Sequence, residues 1–127
     1  MELLTKREIE IMNAIWFSGK ELVQTGEILK TINLERKLSR QPLQSMLTRL
    51  CEKGVLECVK EGHFNFYRSQ IDREEYRKFE TALLMKRLYK NSPKSLVLSL
   101  VKDQSFTAED IKELQETFGM ISQTENS

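Results

Sequence analysis

The stretch from Arg36 to Gly54, RKLSRQPLQSMLTRLCEKG, holds the residues of this 127-residue chain whose types and spacing best fit a chemical task. Between Arg36 and Cys51 there are four basic residues, Arg36, Lys37, Arg40 and Arg49, and no acidic one. Leu43, Met46, Leu47 and Leu50 recur at the three- and four-residue spacing of one helix face, which leaves Gln41, Gln44, Ser45 and Thr48 on the opposite face. Amides and hydroxyls can hydrogen-bond base edges, and guanidinium groups hold phosphates, so the pattern predicts a DNA-reading helix. A solvated amphipathic helix has the same pattern, and the neighbouring elements must decide between the two. Enzymatic chemistry has no comparable set of residues. One histidine, His63, and two separated cysteines, Cys51 and Cys58, supply neither an acid–base pair nor a metal-ligand spacing. No catalytic residue, metal or cofactor is expected.

The elements that must position this face are well marked. Thr5 followed by Glu8 fits a capping box, and Ile9, Met12, Ile15 and Trp16 then keep helical spacing until Ser18-Gly19. Trp16 lies on the apolar face and is read as core. Thr25, with Glu27 close behind, opens a shorter helix striped by Ile28, Leu29 and Ile32 and stopped near Asn33. Ser39 is the expected N-cap of the third helix, with Pro42 in its first turn, where a missing N–H costs little. Gly54 follows as the C-cap. Val55–Glu61 and Phe64–Arg68 alternate as strands around a Gly62-His63 turn. Three helices and a hairpin in that order predict a winged helix-turn-helix over residues 1–70. His63 falls at the wing tip, within reach of a phosphate or the minor groove, or simply in solvent.

Asp72 opens a long helical pattern through Tyr76, Phe79, Leu83, Leu84 and Leu88 that ends near Asn91-Ser92-Pro93. Leu96, Val97, Leu98, Leu100 and Val101 crowd the next helix, and Thr107 caps a last one striped by Ile111, Leu114 and Phe118. These helices have no sheet to cover them. A two-fold dimer is the economical burial, and folding back on the winged helix within a monomer is the alternative. Residues 71–118 are therefore read as a helical dimerisation domain formed by Leu84, Leu88, Leu96, Val97, Leu100, Val101, Ile111, Leu114 and Phe118. Gly119 to Ser127 is read as a disordered polar tail. The fold class is mainly α with a small β-hairpin: a winged helix-turn-helix followed by a helical dimerisation region.

Composition sets the outer bounds. Charged residues make up 31% and hydrophobic ones 39%, and no apolar run approaches the roughly 18 residues of a membrane span, so a soluble protein with no membrane partner is expected. The opening MELLTKREIE lacks the apolar core of a signal peptide, which points to the cytoplasm. Lys and Arg outnumber Asp and Glu eleven to nine in residues 1–70, against nine to ten in 71–127, so the basic signal is local to the third helix. Cys51 and Cys58 are expected to be reduced, buried small hydrophobes.

SRQPLQSMLTRLCEKGVLECVKEGHFNFY, followed by DREEYRKFE, LYKNSPKSLVLSLVKD and TAEDIKELQETF, resembles the penicillinase repressor family, the BlaI/MecI/CopY group of bacterial transcriptional repressors. The resemblance runs from about Thr5 to Phe118 and is most specific at Leu47 to Gly54 and at Leu88 to Val101. It implies a homodimer on a palindromic double-stranded DNA operator, acting by occlusion. Gln41, Gln44, Ser45 and Thr48 would then lie nearest the bases, with Arg40, Arg49 and the wing, including His63, on phosphates. One branch of the family is β-lactam-responsive and is inactivated by a sensor protease that cuts an Asn-Phe pair in the SLV run. The aligned pair here is Ser99-Leu100, a departure from that pattern. The copper-sensing branch carries a CxCxxxxCxC cluster, and this chain has no cysteine after Cys58. The resemblance therefore implies a repressor of β-lactam-resistance or related stress genes. A winged-helix protein adapter and a thiol-switched repressor are the competing readings.

Overall fold

The computed structural model describes residues 1–125 and divides them into two compact units, Met1–Glu80 and a second unit starting at Thr81. In the first unit the chain runs α1 (Lys6–Trp16), β1 (Val23–Gln24), α2 (Thr25–Asn33), α3 (Arg40–Glu52), β2 (Leu56–Glu61) and β3 (Phe64–Ser69), then enters α4 (Arg73–Leu88). The start of α1 follows from its residues. Thr5 Oγ1 accepts the Glu8 amide at 3.2 Å while Glu8 Oε1 accepts the Thr5 amide at 2.9 Å, so two N–H groups that the helix cannot satisfy itself are paired reciprocally. Ile11, Met12, Ala14 and Ile15 form its buried face.

The end of α3 is equally local in origin. Gly54 takes φ +78°, which lets its N–H reach Cys51 O at 3.0 Å and the Val55 N–H reach Leu50 O at 2.9 Å. That pair of bonds turns the chain into β2. β2 and β3 pair antiparallel from Leu56↔Ser69 to Glu61↔Phe64 around a two-residue turn whose Gly62 has φ +61°.

The structure adds a strand that residue alternation did not predict. Val23 and Gln24 pair with Tyr67 and Phe66, so the hairpin is part of a three-stranded sheet ordered β1-β3-β2. Thr25 is the first residue of α2 and not its cap. Its side chain is buried, and its hydroxyl donates to Asn65 O at 3.4 Å across to β3.

The core lies between the three helices and the sheet: Ile11, Met12, Val23, Ile28, Leu43, Leu47 and Leu50 are wholly inaccessible, and Leu56 and Tyr67 nearly so. Trp16 packs against this core with its indole N–H donating to Ser69 Oγ at 3.1 Å, a structural role. Tyr76 also belongs to the core. It is 2% exposed, stacks 6.0 Å from Trp16, and its hydroxyl accepts the Leu4 amide at 2.8 Å. This is why the compact unit extends to Glu80 and does not stop at residue 70: the first two turns of α4 pack on the winged helix through Tyr76 and Phe79.

The second unit comprises the rest of α4, α5 (Pro93–Lys102) and α6 (Ala108–Glu125). Lys90 and Asn91, both at positive φ, lead from α4 to Ser92, whose hydroxyl accepts the Ser95 amide with Pro93 at the first helical position. Thr107 and Asp110 cap α6 reciprocally at 3.0 Å. The expected tail from Gly119 is corrected by the length of this helix, which continues to Glu125. Ile121 extends the Ile111, Leu114, Phe118 stripe by the same spacing, so one glycine does not stop the run. The last two residues, 126 and 127, lie outside the described residues. No described side chain of the second unit is fully buried, and Leu88, Phe118 and Met120 are 69%, 57% and 68% exposed.

Candidate nucleic-acid interface

α3 presents its outer face as the residue spacing predicts. Leu43, Leu47 and Leu50 point into the core with Met46 half-buried, while Arg40, Gln41, Ser45, Thr48 and Arg49 are exposed. Ser39 is the N-cap, but its hydroxyl takes up no first-turn N–H, and no acidic residue lies in the first turn. The positive end of the helix therefore faces outward without a neutralising partner, beside Arg40. The Arg40 guanidinium reaches back over α2, 3.6 Å from where a side chain on Gly26 would begin. Lys37, Arg40 and Arg49 have no ion-pair partner among the described residues. His63 is exposed at the tip of the β2–β3 turn.

Two of the residues singled out in sequence behave differently. Arg36, counted with the basic cluster, is committed to α1: its Nε donates to Glu10 Oε1 at 2.7 Å and to Oε2 at 3.0 Å. The hydrogen bonds from Arg36 hold the Glu10 carboxyl below its ordinary range, and the carboxylate in turn raises the guanidinium. The pair ties the α2–α3 turn to α1. Leu38 N–H donates to Asn33 Oδ1 at 2.8 Å within the same turn.

Gln44 is the second departure. It is half-buried and not on the open face, with Nε2 donating to the hydroxyl of Tyr67 at 3.0 Å. Its position, one residue after Leu43, places it at the border of the buried stripe, where β3 can reach it. Tyr67 is the functional neighbour that residue spacing on α3 could not find, because the contact crosses 23 residues of sequence. Thr48 is exposed, but its hydroxyl donates to Gln44 O at 3.0 Å, which leaves its oxygen as an acceptor.

The cysteines are also corrected. Cys51 is half-buried, and burial pushes its thiol upward, away from the reactive thiolate. Cys58 is exposed. It stands on β2 at the sheet edge, past the point where that strand leaves the core at Leu56. Among the described residues no cluster of His, Cys, Asp or Glu could hold a metal, and no helix is long and apolar enough to cross a membrane.

The penicillinase repressor profile matches residues 4–119. The chain belongs to the penicillinase repressor family. It is 29% identical over 119 residues to a penicillinase repressor of Staphylococcus aureus, covering 94% of this chain and 93% of that one. A Bacillus licheniformis penicillinase repressor is 30% identical over 111 residues, 87% of this chain and 85% of its own length. Among solved structures, the B. licheniformis BlaI monomeric form in complex with the blaP half-operator matches with a TM-score of 0.50 and 32% identity, over 59% of this chain and 89% of that one. Relatives of this family are repressors, not enzymes.

Proposed function

We propose that the chain is a sequence-specific DNA-binding transcriptional repressor that binds a palindromic operator as a homodimer and acts by occlusion. The observation that carries this reading is the family membership over residues 4–119, joined to a winged helix with Arg40 and Arg49 exposed on α3 and Lys37 in the turn before it, none of them ion-paired among the described residues. The relative solved on a half-operator supports DNA as the ligand of this unit. On this reading Arg40, Arg49, Lys37 and His63 hold phosphates, and Gln41, Gln44, Ser45 and Thr48 approach the bases. Leu84, Leu88, Leu98, Val101, Ile111, Phe118, Met120 and Ile121 are exposed apolar side chains, and Leu96, Val97, Leu100 and Leu114 are half-buried, a surface suited to a second copy. We infer β-lactam-resistance or related stress genes as targets, which the relatives' names support, and relief by inactivation of the repressor.

The test is a mobility shift of the purified chain on promoter DNA upstream of its own gene and its neighbours, across a salt series. Tight, salt-sensitive binding of two protomers to a palindrome is expected. Salt-insensitive or absent binding at every such promoter refutes the reading and favours a protein adapter. Relief through a sensor protease is tested by mass spectrometry after incubation with the activated protease. The Ser99–Leu100 bond lies within α5, so cleavage there requires that helix to open first.

A further inference from the structure

We propose that Tyr67 positions Gln44 so that its carbonyl oxygen faces the DNA, making the pair a specificity determinant for a base that presents an amine in the major groove, adenine or cytosine. The inference rests on α3 being the base-reading helix. Free in solvent, a glutamine amide offers either a donor or an acceptor by rotating its last bond. Here the donor end is turned to the sheet: one of the two Nε2 protons is donated to the Tyr67 hydroxyl at 3.0 Å. That hydroxyl is fixed in turn, because Tyr67 is 1% exposed in the middle strand of the sheet. Burial raises the phenol, so it stays protonated at neutral pH.

The nitrogen and oxygen of a carboxamide lie on opposite sides of one carbon. Turning Nε2 to the buried phenol therefore turns Oε1 outward, beside Arg40, Gln41 and Thr48, its exposed neighbours at helical spacing. No hydrogen bond occupies Oε1 among the described residues. Thr48 adds a second acceptor, since its proton is spent on the helix backbone. In the major groove the only donors are the N6 amine of adenine and the N4 amine of cytosine. Guanine and thymine offer acceptors at the corresponding edge. Two outward acceptors on one side of α3 match the first pair and leave the second unrecognised.

The experiment uses the full chain and the operator duplex found by mobility shift. Each adenine in turn is replaced by purine, which lacks N6, and each cytosine by 2-pyrimidinone, which lacks N4. Loss of one amine per half-site is expected to weaken wild-type binding by about tenfold. Gln44→Ala should bind the intact and the amine-deleted duplex equally. Tyr67→Phe, which removes one oxygen and keeps the ring, should still bind the operator but discriminate less than about threefold, because the released amide turns freely. Gln44→Ala alone assigns the amine to Gln44, so that part of the test does not depend on the Tyr67 variant folding. Amine deletions that never depend on Gln44, or a Tyr67→Phe protein that discriminates like the wild type, overturn the proposal while leaving operator binding intact. Absence of any specific operator binding overturns the repressor reading as well.

Discussion

Replacing Arg40 by alanine separates a phosphate contact from a structural cation, because one of each kind lies within the five residues that lead into α3 and open it. Arg40 is exposed and has no ion-pair partner among the described residues, whereas Arg36, four residues earlier, is bound twice to Glu10. Each phosphate contact contributes about 0.9 to the slope of log affinity against log salt on duplex DNA. A dimer presents Arg40 twice, so Arg40→Ala should flatten the slope by about 1.8, and its affinity deficit should shrink about twelvefold between about 50 and about 200 mM salt. Arg36→Ala should leave the slope unchanged and lower the melting temperature, since it frees the α2–α3 turn from α1. Fluorescence anisotropy of labelled operator duplex at four or five salt concentrations measures both slopes. An unchanged slope in Arg40→Ala, or a flattened one in Arg36→Ala, would refute the assignment. The second outcome would mean that the Glu10 pair opens on DNA. A change of about 0.9 and not 1.8 would mean that one protomer binds.

Leu47→Ala should destabilise the first unit by about 2–5 kcal/mol in urea unfolding, since Leu47 is wholly buried between Leu43 and Leu50 on the core face of α3. A loss under about 1 kcal/mol would mean that the helix packs loosely. The Glu10 carboxyl is held low by Arg36, so its contribution to stability is present above the ordinary carboxylate pKa of about 4.3 and is lost as pH falls through the lower folded value. Wild-type melting temperature should therefore drop more steeply on acidification than that of Glu10→Gln, and parallel curves would rule the linkage out. Leu88→Glu, at a side chain 69% exposed, should shift sedimentation from dimer to monomer without loss of helical circular dichroism, and a wild type that sediments as a monomer at binding concentrations would sink the dimer.

What could be read in the sequence was whatever depends on spacing along one element. The capping box at Thr5 and Glu8, the α3 stripe of Leu43, Leu47 and Leu50, the glycine that ends α3 and the turn at Gly62 all follow from local chemistry, and the structure has each of them. β1 was not legible because two residues are too few to show alternation, and Val23-Gln24 becomes a strand only by pairing with β3. Cys58 was expected to be buried because it lies in a strand, but β2 is an edge strand that leaves the core after its first residue, so lying in the strand does not decide burial there. The boundary at residue 70 failed for a related reason, since Tyr76 is held by Leu4, 72 residues away.

The polar residues of α3 show the limit most clearly. Sorting by face treats Gln41, Gln44, Ser45 and Thr48 as equivalent hydrogen-bonding groups and treats Arg36 and Arg40 as equivalent charges. Contacts from other elements break both equivalences: Glu10 on α1 takes Arg36, and Tyr67 on β3 takes the donor end of Gln44. Spacing on a helix therefore identifies which side chains can approach a ligand, and the hydrogen bonds arriving from its neighbours decide which atoms of those side chains are left to bind it. A surface that looks neutral between donors and acceptors by composition becomes directional once its scaffold has claimed one kind of group.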